Sequence, residues 1–241
     1  NRKLLVFIVY VALFIDNMLL TAVVPIMPEY LLKARLAEEA AANGTSAAAA
    51  SAVTLPPALG AEENIQVGLM FGSKALVQLI TNPFVGPFTS RVGYTVPMFT
   101  GFVIMFFSTL LFAFGNQFWM LWVARALQGV GSACTSTAGM GMIAQAYPDD
   151  EQRGSAMGIA LGGLALGVLV GPPYGGFLYG LAGKYLPFLI LALLALADGM
   201  LQFVVLRPKC ARGEDEGSGV RQLLADPYIL IGAGTLHAAE K

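Results

Sequence analysis

Histidine occurs once in the 241 residues, at His237, and cysteine twice, at Cys134 and Cys210. A single imidazole near the end of the chain, with one thiol in an apolar segment and the other in a polar stretch, forms neither a metal-ligand set nor the pattern of a disulfide framework. No nucleophile converges with a base, so enzymatic chemistry finds no support. Charge is also scarce: 12% of residues are Asp, Glu, Lys or Arg, where a soluble domain carries about 25%. A net charge of −1 supplies no basic field for nucleic acid. Apolar residues make up 56% of the chain, and the mean hydropathy is +0.69. Lipid is therefore its expected solvent.

Stretches nearly free of charge and about 20 residues or longer, the length a membrane-spanning helix needs, divide the chain into six expected spans: Leu4 to Leu32, Ile65 to Thr89, Tyr94 to Phe114, Phe118 to Tyr147, Gly154 to Leu181, and Tyr185 to Leu206. Only Gly115, Asn116 and Gln117 separate the third from the fourth, which predicts an antiparallel hairpin. A seventh apolar run opens at Pro227 and reaches only Leu236, too short to span. The chain begins at Asn1 without Met, and its first span is too long and too polar at its centre for a cleaved signal peptide. Its natural start is expected upstream.

The distribution of Lys and Arg sets the expected orientation. With a cytoplasmic N-terminus, that side holds Arg2, Lys3, Arg91, Arg153, Arg207, Lys209, Arg212 and Arg221, against Lys33, Arg35 and Lys184 on the other. Residues 1–207 then form the six-helix domain. The segment 33–64 is an Ala-rich, acidic, low-complexity lumenal loop expected to be disordered. It carries Asn43-Gly44-Thr45, an N-glycosylation acceptor. Residues 208–226 form a polar cytoplasmic linker, and 227–241 the truncated start of a seventh helix.

Within this apolar frame a few polar residues stand out. Twelve apolar residues, Leu4 to Ile15, run into Asp16 and Asn17 before the apolar run resumes. At 1.5 Å per residue, Asp16 lies roughly 18 Å into a hydrocarbon core about 30 Å thick. A carboxylate there costs about 2.5 to 3.5 kcal/mol to insert and by default faces the bundle interior as a functional group, able to bind a cation or a proton. Lys74, Gln78 and Asn82 recur at helical spacing on one face of the second span, which is expected to look inward. Arg125, Gln128, Ser132 and Ser136 of the fourth span fall within about 80° of one another. Hydroxyl and amide groups of this kind also serve simply to glue helices, whereas Lys74 and Arg125, deep in their helices, imply function or ion pairing. Asp198, with Gln202 one turn on, is a candidate buried-pair partner or gate.

The fifth span is a close-packing element. Glycines recur every fourth residue at Gly154, Gly158 and Gly162, and again at Gly163, Gly167, Gly171 and Gly175, letting neighbouring backbones approach. Pro172 and Pro173 remove two amide donors and are expected to kink this helix. Pro25 and Pro28 are expected to act likewise on the first, freeing the carbonyls of Thr21 and Val24. Kinked helices beside midplane charges are a transporter device.

These residues carry a resemblance. Arg125-Ala126-Leu127-Gln128-Gly129-Val130-Gly131 matches the helix-four motif of the major facilitator superfamily. The run Gly167 to Gly176, including Gly171, Pro172, Pro173 and Gly175, resembles its helix-five antiporter motif. The motif between helices two and three is degraded: Gly86, Arg91 and Gly93 stand in place, but Ser90 takes the usual Asp position and Tyr94 a usual basic one, a departure from the latch the motif provides. More specifically, the chain resembles the vesicular monoamine transporters, through Asp16-Asn17-Met18-Leu19-Leu20-Thr21, Ser73-Lys74-Ala75, Gln78 to Phe84, Gly139-Met140-Gly141-Met142, Met157 to Pro173, and Asp226 to Leu230. The vesicular acetylcholine transporters are the neighbouring branch, and Thr81-Asn82-Pro83-Phe84 with Gly158 to Gly171 favour the monoamine side.

The resemblance implies an all-α integral membrane protein: a six-helix bundle of the major facilitator type forming the N-terminal half, plus the start of a seventh helix. It implies proton-coupled antiport, in which protonated monoamines such as serotonin, dopamine and noradrenaline enter acidic synaptic or secretory vesicles as protons leave, with no cofactor beyond the proton gradient. Asp16 and Asn17 would bind the amine. Lys74 would pair with an acidic residue of helix eleven, while Asn82, Arg125, Gln128 and Asp198 would serve coupling and gating. The family has twelve helices, so this chain would be inactive without the missing C-terminal half. The competing readings are a drug:proton antiporter of the same superfamily, and a non-transporting fragment that associates with a full-length transporter.

Overall fold

The computed structural model describes residues 2–43 and 59–206, with side-chain surroundings for 2–36 and 65–205. The described residues form six helices: α1 (Arg2–Asn43), α2 (Leu59–Val92), α3 (Thr95–Phe114), α4 (Phe118–Ala146), α5 (Asp150–Ala182) and α6 (Tyr185–Leu206). No strand occurs among them. Each of the six expected spans is a helix, and the hairpin between α3 and α4 turns on Gly115, Asn116 and Gln117 as expected. The linker 208–226 and the segment 227–241 lie outside the described residues.

One expectation is corrected. The loop expected to be disordered from residue 33 to 64 is helical at both ends, since α1 runs to Asn43 and α2 starts at Leu59. Alanine with interspersed Glu, Lys and Arg is strongly helix-forming, so a low-complexity composition here extends the helices. Pro25 and Pro28, expected to kink α1, and Pro172 and Pro173, expected to kink α5, lie inside helices that each continue through their prolines as one element.

Four helices are long and apolar enough to cross a membrane by composition: α1 over Arg2–Leu36, α3, α5, and α6 over Tyr185–Val205. The other two, α2 and α4, carry the polar stripes around Lys74 and Arg125, which dilute their apolar character. Turn chemistry explains where the helices end. Gly93 (φ +88°) and Gly183 (φ +70°) take the left-handed conformation that lets the chain reverse after α2 and after α5. The Asp149 side chain accepts from the Gln152 amide at 3.2 Å and caps the start of α5.

The helices pack around α1, which touches α2, α4, α5 and α6, with its longest contact against α5. On the other side α3 packs on α4 and α6, and α4 on α2. Two large apolar clusters fill most of the interior, with a small third around Val85, Ala133 and Cys134. One surrounds Leu19, Ile26, Met27, Phe112 and Phe188, and the other Ile8, Val9, Met98 and Ile143. Outward faces are apolar as well: Phe84 is 72% exposed, Leu169 71% and Phe177 70%. That inversion is the pattern of a bundle whose surroundings are hydrocarbon or further helices.

Of the two glycine stripes in α5, only one is buried. A Cβ on Gly163 would lie 2.5 Å from the carbonyl oxygen of Tyr10, and one on Gly167 would lie 2.5 Å from that of Phe14. Gly171 and Gly175 abut Thr21 and Ala22 in the same way. Gly154 and Gly158 face open space, and Gly162 only grazes Tyr10. Backbone proximity along the first stripe also permits an interhelical bond from Thr21 Oγ1 to the Gly167 carbonyl at 3.2 Å.

Candidate functional site

The interior of the bundle holds separate groups of buried polar side chains, around Asp16, Arg125 and Asp198. Asp16 on α1 is buried. Its Oδ1 accepts from Lys74 Nζ of α2 at 3.1 Å, and its Oδ2 accepts from Ser132 Oγ of α4 at 2.5 Å. Three helices thus converge on a single carboxylate. An ion pair in this setting persists only because the desolvated charges satisfy each other, since either alone would be uncompensated.

Arg125, about two turns before Ser132 on α4, is fully buried. Its guanidinium donates to Gln128 Oε1 at 2.8 Å and reaches the carbonyls of Leu19 and Leu20 on α1 at 3.3 and 3.4 Å. The rings of Phe71 and Phe112 lie 5.5 and 5.0 Å from its carbon centre, a cation–π sandwich that excludes water. The carbonyls engaged are not those of Thr21 and Val24, which the prolines of α1 were expected to free.

Gly129 explains why α2 and α4 come close enough for these contacts: a Cβ there would sit 2.6 Å from the Lys74 carbonyl oxygen. Gly101 of α3 and Gly131 of α4 face each other similarly. These three glycines were not singled out in sequence, where only Gly129 and Gly131 fell inside a motif.

The remaining candidates are placed unevenly. Asn17 is half-buried, donates to the Leu13 carbonyl of its own helix at 2.9 Å, and packs against Gly167, not beside the Asp16 carboxylate. Of the stripe expected to look inward, Lys74 is buried, Gln78 half-buried and Asn82 exposed; towards Asn82 that face leaves the six-helix bundle. The resemblance implies an acidic partner for Lys74 on helix eleven, beyond this chain; among the described residues Lys74 pairs with Asp16. Within the antiporter segment Gly167, Gly171 and Gly175 press on α1, whereas Pro173 and Gly176 are exposed and Pro172 is half-buried. In the degraded motif before α3, Ser90 bonds back to the Pro87 carbonyl at 2.9 Å and Arg91 is exposed. Asn43 is the last residue of α1, and Gly44 and Thr45 of its acceptor tripeptide lie outside the described residues.

Asp198 of α6 is buried, and its Oδ2 accepts from Gln202 Nε2 at 2.6 Å. At the opposite end of the bundle from Arg2, Lys184 between α5 and α6 donates to the Gly115 carbonyl, to Tyr30 Oη at 3.1 Å and to Asn116 Oδ1 at 3.5 Å. It also lies 4.2 Å from the centre of the Tyr30 ring. This clamp ties α1, the α3–α4 hairpin and the α5–α6 turn together. Sequence reasoning assigned Lys184 only to a side of the membrane.

Residues 6–238 match the Major Facilitator Superfamily. The chain is 46% identical over 287 residues to the synaptic vesicular amine transporter of Mus musculus, covering 98% of this chain and 56% of that protein. It is 43% identical over 246 residues to the vesicular acetylcholine transporter of Tetronarce californica, covering 98% of this chain and 48% of that one. Among solved structures it resembles the human organic anion transporter MFSD10 (TETRAN), with a TM-score of 0.64 at 16% identity over 86% of this chain and 48% of that chain, a likeness of fold. The chain spans about half the length of the curated relatives it matches, and it belongs to the Major Facilitator Superfamily.

Proposed function

We propose that this chain forms the N-terminal half of a proton-coupled antiporter that moves protonated monoamines from cytosol into acidic vesicles, with its N-terminus cytoplasmic and Asp16 as the carboxylate that receives the amine. The observation that carries this reading is the Lys74–Asp16–Ser132 cluster, a buried anion held by one cation and one hydroxyl. A monoammonium substrate can replace the Lys74 ammonium at the same oxygen, donating a charge-assisted hydrogen bond. A proton on Asp16 removes the charge the amine needs, so amine and proton occupy the carboxylate alternately. Mutually exclusive occupancy at one site is what couples opposite fluxes as two halves rock about it. The identity to vesicular amine transporters supports amines as the substrate class. Serotonin, dopamine and noradrenaline fit the requirement for an N–H donor. Arg125, with Gln128, holds α4 against α1 and keeps the site together.

The test is serotonin uptake into acidified vesicles by a transporter in which this sequence is joined to a C-terminal half. Asp16→Asn retains size and hydrogen bonding but removes the charge, and is expected to cost several kcal/mol, on the order of a thousandfold in affinity. Because the substitution also leaves Lys74 unpaired, uptake is normalised to folded protein. Wild-type uptake by Asp16→Asn would refute the assignment.

A further inference from the structure

A second carboxylate faces Asp16 across a small cavity. The cavity, about 20 Å³, is lined by Ala12, Ile15 and Asp16 of α1, Phe102 and Met105 of α3, Thr135 of α4, and Ala195, Asp198 and Gln202 of α6. That volume holds about one water molecule. Three buried polar atoms of its lining residues make no hydrogen bond: Thr135 Oγ1, Asp198 Oδ1 and Gln202 Oε1. Asp198, Gln202 and Thr135 are only 7%, 2% and 6% exposed. Buried polar groups left unpaired are rare and signal an unseen water or a functional proton.

The contrast with Asp16 is chemical. Asp16 has Lys74 and Ser132 on its two oxygens, whereas Asp198 has one amide N–H and, among the described residues, no partner on the other oxygen. Asp16 is the one other titratable group in the cavity wall; α3 and α4 contribute Phe102, Met105 and Thr135, and α5 contributes no lining residue. An ionised carboxylate with no cation and a free oxygen is the costly state in such surroundings. Protonation converts Asp198 Oδ1 into a donor and resolves the mismatch of three oxygens, two of which, Asp198 Oδ1 and Gln202 Oε1, can otherwise only accept. One water then accepts from Asp198, donates to Gln202 Oε1, and donates to Thr135 Oγ1 or towards Asp16.

We infer that this cavity is a hydrated proton-binding site, in which Asp198 carries an exchangeable proton and a single water, held by Thr135 and Gln202, links it to Asp16. The inference deepens the antiport reading, on which its transport role rests, by giving the coupled proton a residence beside the amine carboxylate. Proton transfer along the link is neutral in atoms: Asp198 gives its proton to the water as the water gives one to Asp16, leaving Asp198 ionised and Asp16 neutral.

Infrared difference spectroscopy of the 241-residue chain in lipid bilayers, without amine, tests it. A protonated-carboxyl C=O band is expected that shifts in D₂O, disappears in Asp198→Asn, and moves in Thr135→Val, which keeps the shape of the side chain but removes its hydroxyl. Should Asp198→Asn fail to fold, Gln202→Leu and Thr135→Val give the same reading through the band position. Absence of the band in the wild type, its survival in Asp198→Asn, or its indifference to both other substitutions would overturn the inference. Since no transport is measured, failure here leaves the antiport reading to the uptake experiment, and failure of uptake leaves this band where it is.

Discussion

Lys74 Nζ lies 3.1 Å from Asp16 Oδ1 across 58 positions of sequence, both side chains being nearly inaccessible. Because each charge is satisfied chiefly by the other, their contributions to stability are strongly coupled.

Lys74→Met strands the Asp16 carboxylate, and Asp16→Asn strands the ammonium; each is expected to destabilise the bundle by about 3–5 kcal/mol. The double substitution removes both charges and is expected to recover most of that loss. Unfolding in detergent micelles across the four proteins measures the coupling. Losses that simply add would show that the two side chains do not depend on each other.

The two glycine stripes of α5 should respond oppositely. Gly167→Ala drives a methyl group against the Phe14 carbonyl, where there is no room, and is expected to cost about 1–3 kcal/mol by forcing α1 and α5 apart. Gly158→Ala meets nothing within 4 Å and should be neutral or stabilising by up to about 1 kcal/mol through helix propensity. Melting temperatures of the two variants, compared with the parent, decide this. Equal effects would mean that the α1–α5 contact is not the close one described.

Lys184 carries a pH dependence. Burial pushes its ammonium down to about 8 from an ordinary 10.5. Between these values the unfolded chain holds the proton and the folded chain does not, so this group makes stability rise with pH from about 8 to 10.5 and contributes no slope below that window. Denaturant midpoints measured across it should climb in the parent and flatten in Lys184→Met. An unchanged slope in the variant would assign the rise to another group.

If the loop after α1 is lumenal, Asn43 should be glycosylated in cells, given the Lys and Arg asymmetry and the acceptor tripeptide. Deglycosidase treatment should increase gel mobility for the parent and leave Asn43→Gln unchanged. Identical mobility in all four lanes would remove the claim.

The number of helices, the α3–α4 hairpin, and the presence of a carboxylate, a lysine and an arginine deep in apolar segments were all legible in the sequence. These features depend on local composition and on the length a helix needs to span hydrocarbon, which the chain writes in linear order. Periodicity also placed Arg125, Gln128 and Ser132 on one buried face. It did not tell that Asn82 lies outside the six-helix bundle, because a shared helical face tells which residues go together but not how far along that face a neighbouring helix remains in contact. Nor did it separate Gly163, Gly167, Gly171 and Gly175 from Gly154 and Gly158, since the two stripes have the same spacing and only the position of α1 distinguishes them. Ser132 as the second partner of Asp16, and the joining of Asp198, Gln202 and Thr135 around one cavity, unite residues from helices far apart in sequence. The sequence by itself determined which polar groups enter the membrane. The tertiary structure alone decided which of them meet, because in a low-dielectric interior each buried charge is compensated by whichever group the packing of backbones brings within hydrogen-bond distance.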